Sequence, residues 1–586
     1  MRLRTGVLAL GLLGSAALVF LVVAWLSRPD TSKSIGDGEA TAEDGERSFR
    51  QDGFAVEMDV RPLRGSANPG DPLRAWESFE LRFSVSEARE GGQAMRGLTP
   101  LAWLVRRKHG EARPDRETCK REIKSLLAGR LARSADVNLN EYYLVTLDEN
   151  NSLSVIDPQI ESAKTKTLGM VSFPSYGSDF VLAPNRRDVL VTLPDSGQVA
   201  AADVNRLKSR YLNLGGQPWS IELQPDGRYA WVGHRGEAKV DVIDTETFAL
   251  QGEVEVGPGP QRMAFAADSR TAYVVSPNSP RLDVIDVDRL QRTGALPVGE
   301  GAIDVAYSEL SRQVLVLQER GAILTFDADD PALNAQIEVP PEPTAFGIAP
   351  DARYGFVLYR DRDEIVLFDT ATQRTTHTVS TQAGPEAIDF TGTFAYIRHA
   401  GSELVLMIDL TALTREAKVV TSIVSLGQRP PGQGRPDVPA PMMAPLPEGG
   451  GALVLSSSDQ SIYHFMEGMN APMGAYRTYP YRARGLLIVD RTIHEIEPGL
   501  YATDFQAPEP GHYTVPFLLP ASPQLYGCFS LELVGPPKKP ELWKSLRVDL
   551  EGRERIVSAG EPSRFSIRLL DATSGAPVQD IEDLAV

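Results

Sequence analysis

Cysteine is almost missing from this chain, whose 586 residues include only Cys119 and Cys528. Two cysteines so far apart in the sequence exclude a C-x-x-C-H haem attachment, a cysteine-rich zinc site and a cysteine-ligated iron–sulfur cluster, because each of these needs closely spaced thiols. Any cofactor would therefore have to be held by other side chains.

Positive charge is also in short supply. Lysine and arginine total 60 against 78 aspartate and glutamate residues, which gives a formal net charge of −18. Such a chain repels a phosphate backbone, so we expect no nucleic-acid partner. The motifs G-x-S-x-G and H-E-x-x-H and the Walker phosphate loop are absent as well. The sequence therefore favours a non-catalytic role, although an active site gathered from distant segments would leave no motif of this kind.

The longest uncharged apolar run lies near the N-terminus, from Thr5 to Ser27, with Arg2, Arg4 and Arg28 flanking it. A run of this length reaches the ~20 residues that a membrane-spanning helix needs. We interpret 1–27 as an uncleaved anchor, with a removed signal cut near 22–24 as the alternative, and 28–50 as a flexible linker. Either reading exports the rest of the chain to a periplasmic or other extracytoplasmic, oxidising compartment.

A blade-sized repeat fills the middle of the chain. A strand ending in aspartate recurs at intervals of 40 to 46 residues, at Asp157, Asp203, Asp244, Asp286, Asp327, Asp369 and Asp409. The chain is longer than the ~250–300 residues that one hydrophobic core accommodates. Short strands of alternating apolar and polar residues that recur at this period indicate four-stranded blades. We therefore predict an all-β chain with a β-propeller over 138–475, with eight blades favoured and seven possible. The recurring aspartates are expected to be turn caps.

The segments GQPWSIELQPDGRYAWVG (216–233) and KVDVIDTETFALQGEVEVG (239–257) resemble YVTN-type propeller repeats. The arrangement over 138–469 is similar to the cytochrome d1 propeller of periplasmic nitrite reductase and, more distantly, to WD40-like propellers. This resemblance implies the fold specifically and the function only weakly, since one fold hosts many functions.

Two flanking segments, 51–112 and 476–536, each contain too few strands to close a sandwich. Together they have about seven, so we predict one immunoglobulin-like β-sandwich into which the propeller is inserted. Its second half, EPGLYATDFQAPEPGHYTVPFLL, resembles the small FixH/YtkA-type periplasmic sandwiches. The same inference brings Cys119 and Cys528 into one module, where they either form a disulfide or remain two thiols.

Two further segments complete the predicted organisation. An amphipathic pattern over Arg113–Arg133 predicts a helical linker at 113–137. Residues 541–586 parallel the first sandwich strands, so we interpret them as a partial second sandwich that is either truncated or completed by a partner.

Candidate cofactor residues are few. The d1-like resemblance implies an axial histidine for a haem, and His234 and His399 end middle strands of their units. His464, Met466, Met469 and Met473 form a soft nitrogen and sulfur set of the kind that copper(I) prefers. The alternatives are surface histidines and methionines that pack into gaps in the core.

We therefore expect a membrane-anchored, exported propeller that acts as a protein-binding or assembly module, with a respiratory or metal-handling system as its expected setting. Its partners would be the membrane, through the N-terminal helix, and other exported or membrane proteins. The alternatives are a redox or metal-binding protein with haem or copper, and a hydrolase with a metal-binding ring of carboxylates on the propeller axis.

Overall fold

Alternating apolar residues and closely spaced turns make strands the dominant regular structure. A computed structural model describes residues 47–535, the strands 546–551 and 566–571, and residue 577. Within the first range the undescribed positions are 64–71, 90, 109, 128–134, 159–166, 329–332, 382–383, 400–401, 403, 427–439, 448, 458, 470, 479–480, 507 and 521–523. The predicted anchor and most of the linker, at 1–46, lie outside the described residues. Among the described residues no helix is long and apolar enough to cross a membrane.

The described chain begins with strands β1 (Ser48–Gln51), β2 (Phe54–Pro62), β3 (Ser78–Glu87) and β4 (Leu101–Arg106), helix α1 (Arg116–Leu127) and strand β5 (Val137–Asn138). The described part of the linker predicted for 113–137 contains this helix, and β5 pairs with β4 rather than opening the propeller.

The middle of the chain contributes strands in groups of four. Three strands of the first group come at its beginning: β6 (Tyr142–Asp148), β7 (Ser152–Ile156) and β8 (Thr167–Ser172). The next two groups are β9 (Phe180–Leu182), β10 (Asp188–Leu193), β11 (Gln198–Asp203), β12 (Lys208–Asn213), β13 (Pro218–Leu223), β14 (Tyr229–His234), β15 (Lys239–Asp244) and β16 (Ala249–Glu255). Two more are β17 (Arg262–Phe265), β18 (Thr271–Val275), β19 (Arg281–Asp286), β20 (Gln291–Pro297), β21 (Ala302–Ser308), β22 (Gln313–Gln318), β23 (Ala322–Asp327) and β24 (Leu333–Glu338).

The remaining groups are β25 (Ala345–Ile348), β26 (Tyr354–Tyr359), β27 (Glu364–Asp369), β28 (Arg374–Ser380), β29 (Pro385–Phe390), β30 (Phe394–His399), β31 (Leu404–Asp409), helix α2 (Leu410–Glu416), β32 (Thr421–Ser425), β33 (Met443–Pro445), β34 (Gly451–Ser456), β35 (Ser461–Met466), β36 (Gly474–Arg477) and β37 (Ala483–Asp490). Short 3₁₀ helices at Pro194–Ser196 and Arg360–Arg362 lie in turns. Strands β38 (His494–Glu497), β39 (Leu500–Gln506), β40 (Gly511–Leu519), β41 (Leu525–Leu533), β42 (Leu546–Glu551) and β43 (Ser566–Asp571) follow.

The unit Glu141–Thr492 contains eight described antiparallel sheets of four strands each. Seven are built from consecutive strands. In the eighth, β37 from the far end of the unit pairs with β6, so that Asp490 lies opposite Tyr142. The sequence interpretation had assigned GLLIVD (485–490) to the sandwich. Its apolar alternation suits either module, and only the pairing with β6 distinguishes them.

The other unit joins the segment ending at Asn140 to the segment starting at Ile493. One sheet has the order β1-β2-β3-β39-β38 and the other β41-β40-β4-β5. Each therefore combines strands from both flanks, with Leu81 opposite Thr503 in the first. Phe83 and Phe517, whose ring centroids are 4.8 Å apart, pack in the core that the two sheets share. Beyond this sandwich, β42 and β43 form a two-stranded antiparallel sheet.

Five of the seven recurring aspartates act as caps, as the sequence predicts. Asp244 accepts hydrogen bonds from the backbone N and the hydroxyl of Thr247, both at 2.8 Å. Corresponding backbone bonds are accepted by Asp203, Asp286, Asp369 and Asp409. These carboxylates therefore shape the hairpin turns and, at Asp409, the start of α2.

Candidate functional site

In the propeller unit (Glu141–Thr492), the first strand of each four-stranded sheet contacts the first strand of a neighbouring sheet. Strand β17, for example, contacts β21, and β37 contacts β9. These first strands carry ionisable residues in four successive sheets: Asp179 just before β9, Glu222 in β13, Arg262 in β17 and Asp304 in β21. We call these four residues the inner-strand charge cluster. Arg262 and Asp304 occupy equivalent positions in their sheets. Arg262 lies opposite Val275 and Asp304 opposite Leu317, each near the end of the second strand of its sheet.

Burial and mutual repulsion perturb the acidic members of this cluster. Burial raises the pKa of Asp179 to about 7. It also raises the pKa of Glu222 to about 8, and the neighbouring charges of Asp179 and Asp304 add to this effect. The pKa of Asp304 is raised by burial too, and Arg262 opposes the shift in all three carboxyl groups. One guanidinium is thus electrostatically coupled to three carboxyls.

The members differ in how firmly they are held. Asp179 is 6% exposed and accepts hydrogen bonds from the backbone N of Phe180 at 2.9 Å and of Ile221 at 3.0 Å. Glu222 and Arg262 remain exposed to solvent. Neither forms an ion pair within 4 Å with a described residue. Glu222 is accessible to water yet surrounded by enough protein to be poorly solvated, as expected for a side chain that lines a narrow water-filled opening.

Perturbed ionisable groups of this kind are typical of functional sites. With a pKa near 8, Glu222 exchanges a proton close to neutral pH. A cation placed beside it would favour the ionised carboxylate and displace that proton. The arrangement is therefore suited to binding a positively charged group with release of a proton.

The two histidines proposed for haem end β14 and β30, as the sequence analysis places them. The His234 side chain is 0% exposed, its Nε2 lies 2.8 Å from Asp241 Oδ2 and its Nδ1 lies 3.5 Å from Glu237 Oε2. Lys239 contacts the same Asp241 carboxylate at 3.2 Å. His234 Nε2 is thus paired with a carboxylate, while its buried Nδ1 has no hydrogen-bond partner among the described residues.

His399 is different. Its Nδ1 lies 3.1 Å from the carbonyl oxygen of Leu404, which can only accept, so the proton resides on Nδ1. The remaining nitrogen, Nε2, is buried without a hydrogen-bond partner among the described residues. Burial lowers the pKa of His399, so its ring is neutral at physiological pH.

The residues proposed for copper lie on and after β35. His464 and Met466 are two residues apart on that strand and share one face, and the buried His464 Nε2 has no described hydrogen-bond partner. Burial lowers the pKa of His464. Met469 and Met473 belong to the connection to β36 and are 46% and 59% exposed. Met473 is tied to the strand by a 2.8 Å bond from its N to His464 O.

Cys119 in α1 and Cys528 in β41 form a disulfide, with Cα atoms 5.8 Å apart. The bond connects the helix to the four-stranded sheet of the sandwich unit. No group of three or more histidine, cysteine, aspartate or glutamate side chains with the geometry of a metal site occurs in the described part of the chain. A carboxylate metal ring is therefore not found among these residues.

The sequence analysis did not identify the inner-strand charge cluster. Its signal was a single charged residue in an otherwise apolar first strand, in SDF (178–180), IEL (221–223), QRM (261–263) and AID (302–304). Gln261, which precedes Arg262 in the chain, has a structural role. It accepts from the backbone N of His234 at 2.7 Å and donates to Glu237 O at 2.7 Å.

No known family and no curated protein matches this sequence. Similar solved structures include Citrobacter koseri AztD, at 14% identity and a TM-score of 0.45 over 59% of this chain and 96% of that one. A Cps50 (Swd1) β-propeller domain from Myceliophteria thermophila is 10% identical, with a TM-score of 0.37 over 49% and 96%. Kuenenia stuttgartiensis hydrazine synthase is 16% identical, with a TM-score of 0.35 over 51% and 99%. These likenesses concern the fold alone, which is all-β with propeller neighbours.

Proposed function

We propose that this protein is an exported, membrane-anchored binding and assembly module, built on an eight-bladed propeller of the YVTN and cytochrome d1-like kind. The eight four-stranded sheets and the pairing of β37 with β6 support a ring closed by a strand from the far end of the unit. Such a closure protects sheet edges that would otherwise aggregate. The disulfide and the apolar run at 5–27 support export to an oxidising compartment.

The inner-strand charge cluster is the observation that carries this proposal. Arg262 and Glu222 are accessible and lack ion-pair partners within the described structure, while Asp179 and Asp304 are held close by. The cluster would line the central opening of the ring, where a cationic side chain from a partner protein pairs with Glu222 and Asp304. Binding would then release protons near neutral pH, because the bound cation lowers the pKa of Glu222.

Retention of the partner tests this function. Full-length protein is cross-linked and purified from its native membrane, and co-purifying proteins are quantified by mass spectrometry. We expect Glu222→Gln/Asp304→Asn to reduce a stoichiometric partner at least ten-fold, because the double variant removes the carboxyl groups that ionise to pair with the cation. Glu309→Gln, in an exposed turn of the same unit, is the matched control and should retain the partner. A wild-type protein recovered only as a monomer, or equal retention by all three proteins, would contradict the proposal.

A second candidate function is favoured by the unpartnered Nε2 atoms of His399 and His464. A neutral imidazole nitrogen without a hydrogen bond is a competent metal ligand, and His464 shares a strand face with Met466. The test is an ultraviolet–visible spectrum with elemental analysis of protein from native membranes. This function predicts about one copper per chain, lost in His464→Ala and kept in the control His512→Ala, or a haem band lost in His399→Ala. A colourless, metal-free protein would eliminate it.

A further inference from the structure

A cleft of about 220 Å³ opens in the sandwich unit beside the disulfide. Three separate parts of the chain line it: β1 through Phe49 and Arg50, the segment 113–119 that leads into the first turn of α1, and β41 from 526 to 528. Its volume is below the ~300–1,000 Å³ of pockets for drug-sized ligands, so it suits a small molecule or ion. The disulfide between Cys119 and Cys528 fixes two of its walls to each other.

The lining is strongly cationic in a chain whose net charge is −18. Arg50, Arg113 and Arg116 all line the cleft, against a single acidic lining residue, Asp115. Arg50 and Arg116 have no ion-pair partner within 4 Å in the described part of the chain. Arg113 donates to the carbonyl oxygen of Cys528 at 3.0 Å, which fixes its guanidinium at the cleft wall.

Two cations share one aromatic ring at this site. The Arg116 guanidinium carbon lies 5.3 Å from the centroid of Tyr526, and Lys120 Nζ lies 5.5 Å from the same centroid. Arg116 and Lys120 are four residues apart on α1, where like charges repel each other. The ring attracts both cations, but it does not neutralise them. An anion bound between the two side chains would neutralise their charges.

The start of α1 adds to the positive potential. Asp115 caps the helix, since its carboxylate accepts from Thr118 N at 2.8 Å and its carbonyl from Cys119 N at 2.8 Å. The backbone N–H groups of Arg116 and Glu117 have no acceptor within the helix because they lie in its first turn. They contribute the partial positive charge of a helix N-terminus.

We propose that this cleft binds a small doubly charged oxyanion, either inorganic phosphate or a short dicarboxylate. Guanidinium groups match the geometry of both anions through paired hydrogen bonds. Arg50 and Arg116 are the binding residues, and Tyr526 positions Arg116. This site is independent of the function proposed above, because it lies in the sandwich unit and shares no residue with the inner-strand charge cluster.

Isothermal titration of full-length, oxidised protein with phosphate and, separately, with succinate tests the site at low ionic strength. We expect one of the two anions to bind with one site per chain, and the identity of that anion separates phosphate from dicarboxylate. Arg50→Gln/Arg116→Gln should weaken binding at least ten-fold. The control Arg89→Gln, an exposed arginine of the same unit that pairs with Glu87, should stay within two-fold of wild type.

Asp115→Ser should change the affinity for the anion in the opposite direction. Serine retains the helix cap but removes the only acidic side chain of the lining, so phosphate or succinate should bind about three-fold more tightly. This variant decides the question even if the double arginine variant unfolds, since an unchanged or weaker affinity would overturn the proposal. Failure of both anions to bind wild type, or an equal loss of affinity in Arg89→Gln, would also overturn it.

Discussion

Replacing both cysteines with alanine is expected to destabilise the sandwich unit by about 4 kcal/mol, the largest effect of any substitution considered for this chain. A disulfide stabilises mainly by restricting the unfolded chain, and the restriction grows with the length of the closed loop. Cys119 and Cys528 are separated by 409 residues. That separation overstates the effective loop when the propeller unit remains folded.

The pairing of β6 with β37 shortens the loop. Tyr142 lies opposite Asp490, so a folded propeller unit holds these two points together while the sandwich unfolds. The loop then runs from Cys119 to Tyr142, across the strand pair, and from Asp490 to Cys528, which is about 60 residues. A loop of this length corresponds to about 4 kcal/mol in the chain-entropy treatment, whereas the full separation would give about 6 kcal/mol.

Differential scanning calorimetry of Cys119→Ala/Cys528→Ala measures the effect. We expect the transition of the sandwich unit to fall by roughly 10 °C while the other transition moves little. Reduction of wild type with dithiothreitol should reproduce the change, and the same treatment should leave the double variant unaffected. Coincident transitions in oxidised wild type and double variant would show that the disulfide does not restrict the unfolded sandwich.

The period of the repeat made the fold largely predictable from the sequence. The six aspartates from Asp203 to Asp409 each end a strand, and five of them accept a hydrogen bond from the backbone that follows, so their spacing reports the size of one sheet directly. Local pattern could not assign the strand at 485–490. An alternating apolar strand has the same appearance in a propeller and in a sandwich, and its partner Tyr142–Asp148 is more than 300 residues away in the sequence.

The candidate site was much less predictable. His234 was proposed because it ends the middle strand of its unit, yet its Nε2 pairs with Asp241 and its Nδ1 lies 3.5 Å from Glu237 in the same hairpin. The inner-strand charge cluster was not recognised, since Asp179, Glu222 and Arg262 belong to three different sheets and have no fixed spacing that a motif could capture. Folding brings these charges within electrostatic range of one another, because Arg262 lowers the pKa of both Asp179 and Glu222. Electrostatic coupling of this kind is a property of the assembled unit.

Glu222→Gln is expected to make the protein more stable than wild type at pH 9 and to change its stability little at pH 5. The pKa of Glu222 is raised from 4.5 to about 8. Between these values the folded state keeps a proton that the unfolded state has lost. The contribution of Glu222 is therefore fully present below pH 4.5 and is lost as the pH rises through 8. Glutamine cannot ionise and avoids this loss.

The size of the effect is limited by solvent. A shift of this size would correspond to about 5 kcal/mol for a fully buried, isolated group. Glu222 is exposed to solvent and shares its interactions with Asp179 and Asp304, so screening reduces the expected gain at pH 9 to about 1–2 kcal/mol. Asp179, whose pKa is raised to about 7, retains its own pH dependence in the variant. Thermal unfolding of Glu222→Gln should therefore show a shallower decline from pH 5 to pH 9 than wild type, though not a flat profile.

Arg262→Gln should have the opposite effect. Arg262 lowers the pKa of all three carboxyls of the cluster, so its removal raises those pKa values further and increases the cost of ionising them. The variant should lose more stability at pH 9 than at pH 5, giving a steeper profile than wild type. Glu309→Gln, at an exposed turn, should follow the wild-type curve. If the stability profiles of Glu222→Gln, Arg262→Gln and wild type run parallel between pH 5 and pH 9, these side chains are not coupled. That result would contradict the proposal that the cluster is the binding site of the propeller.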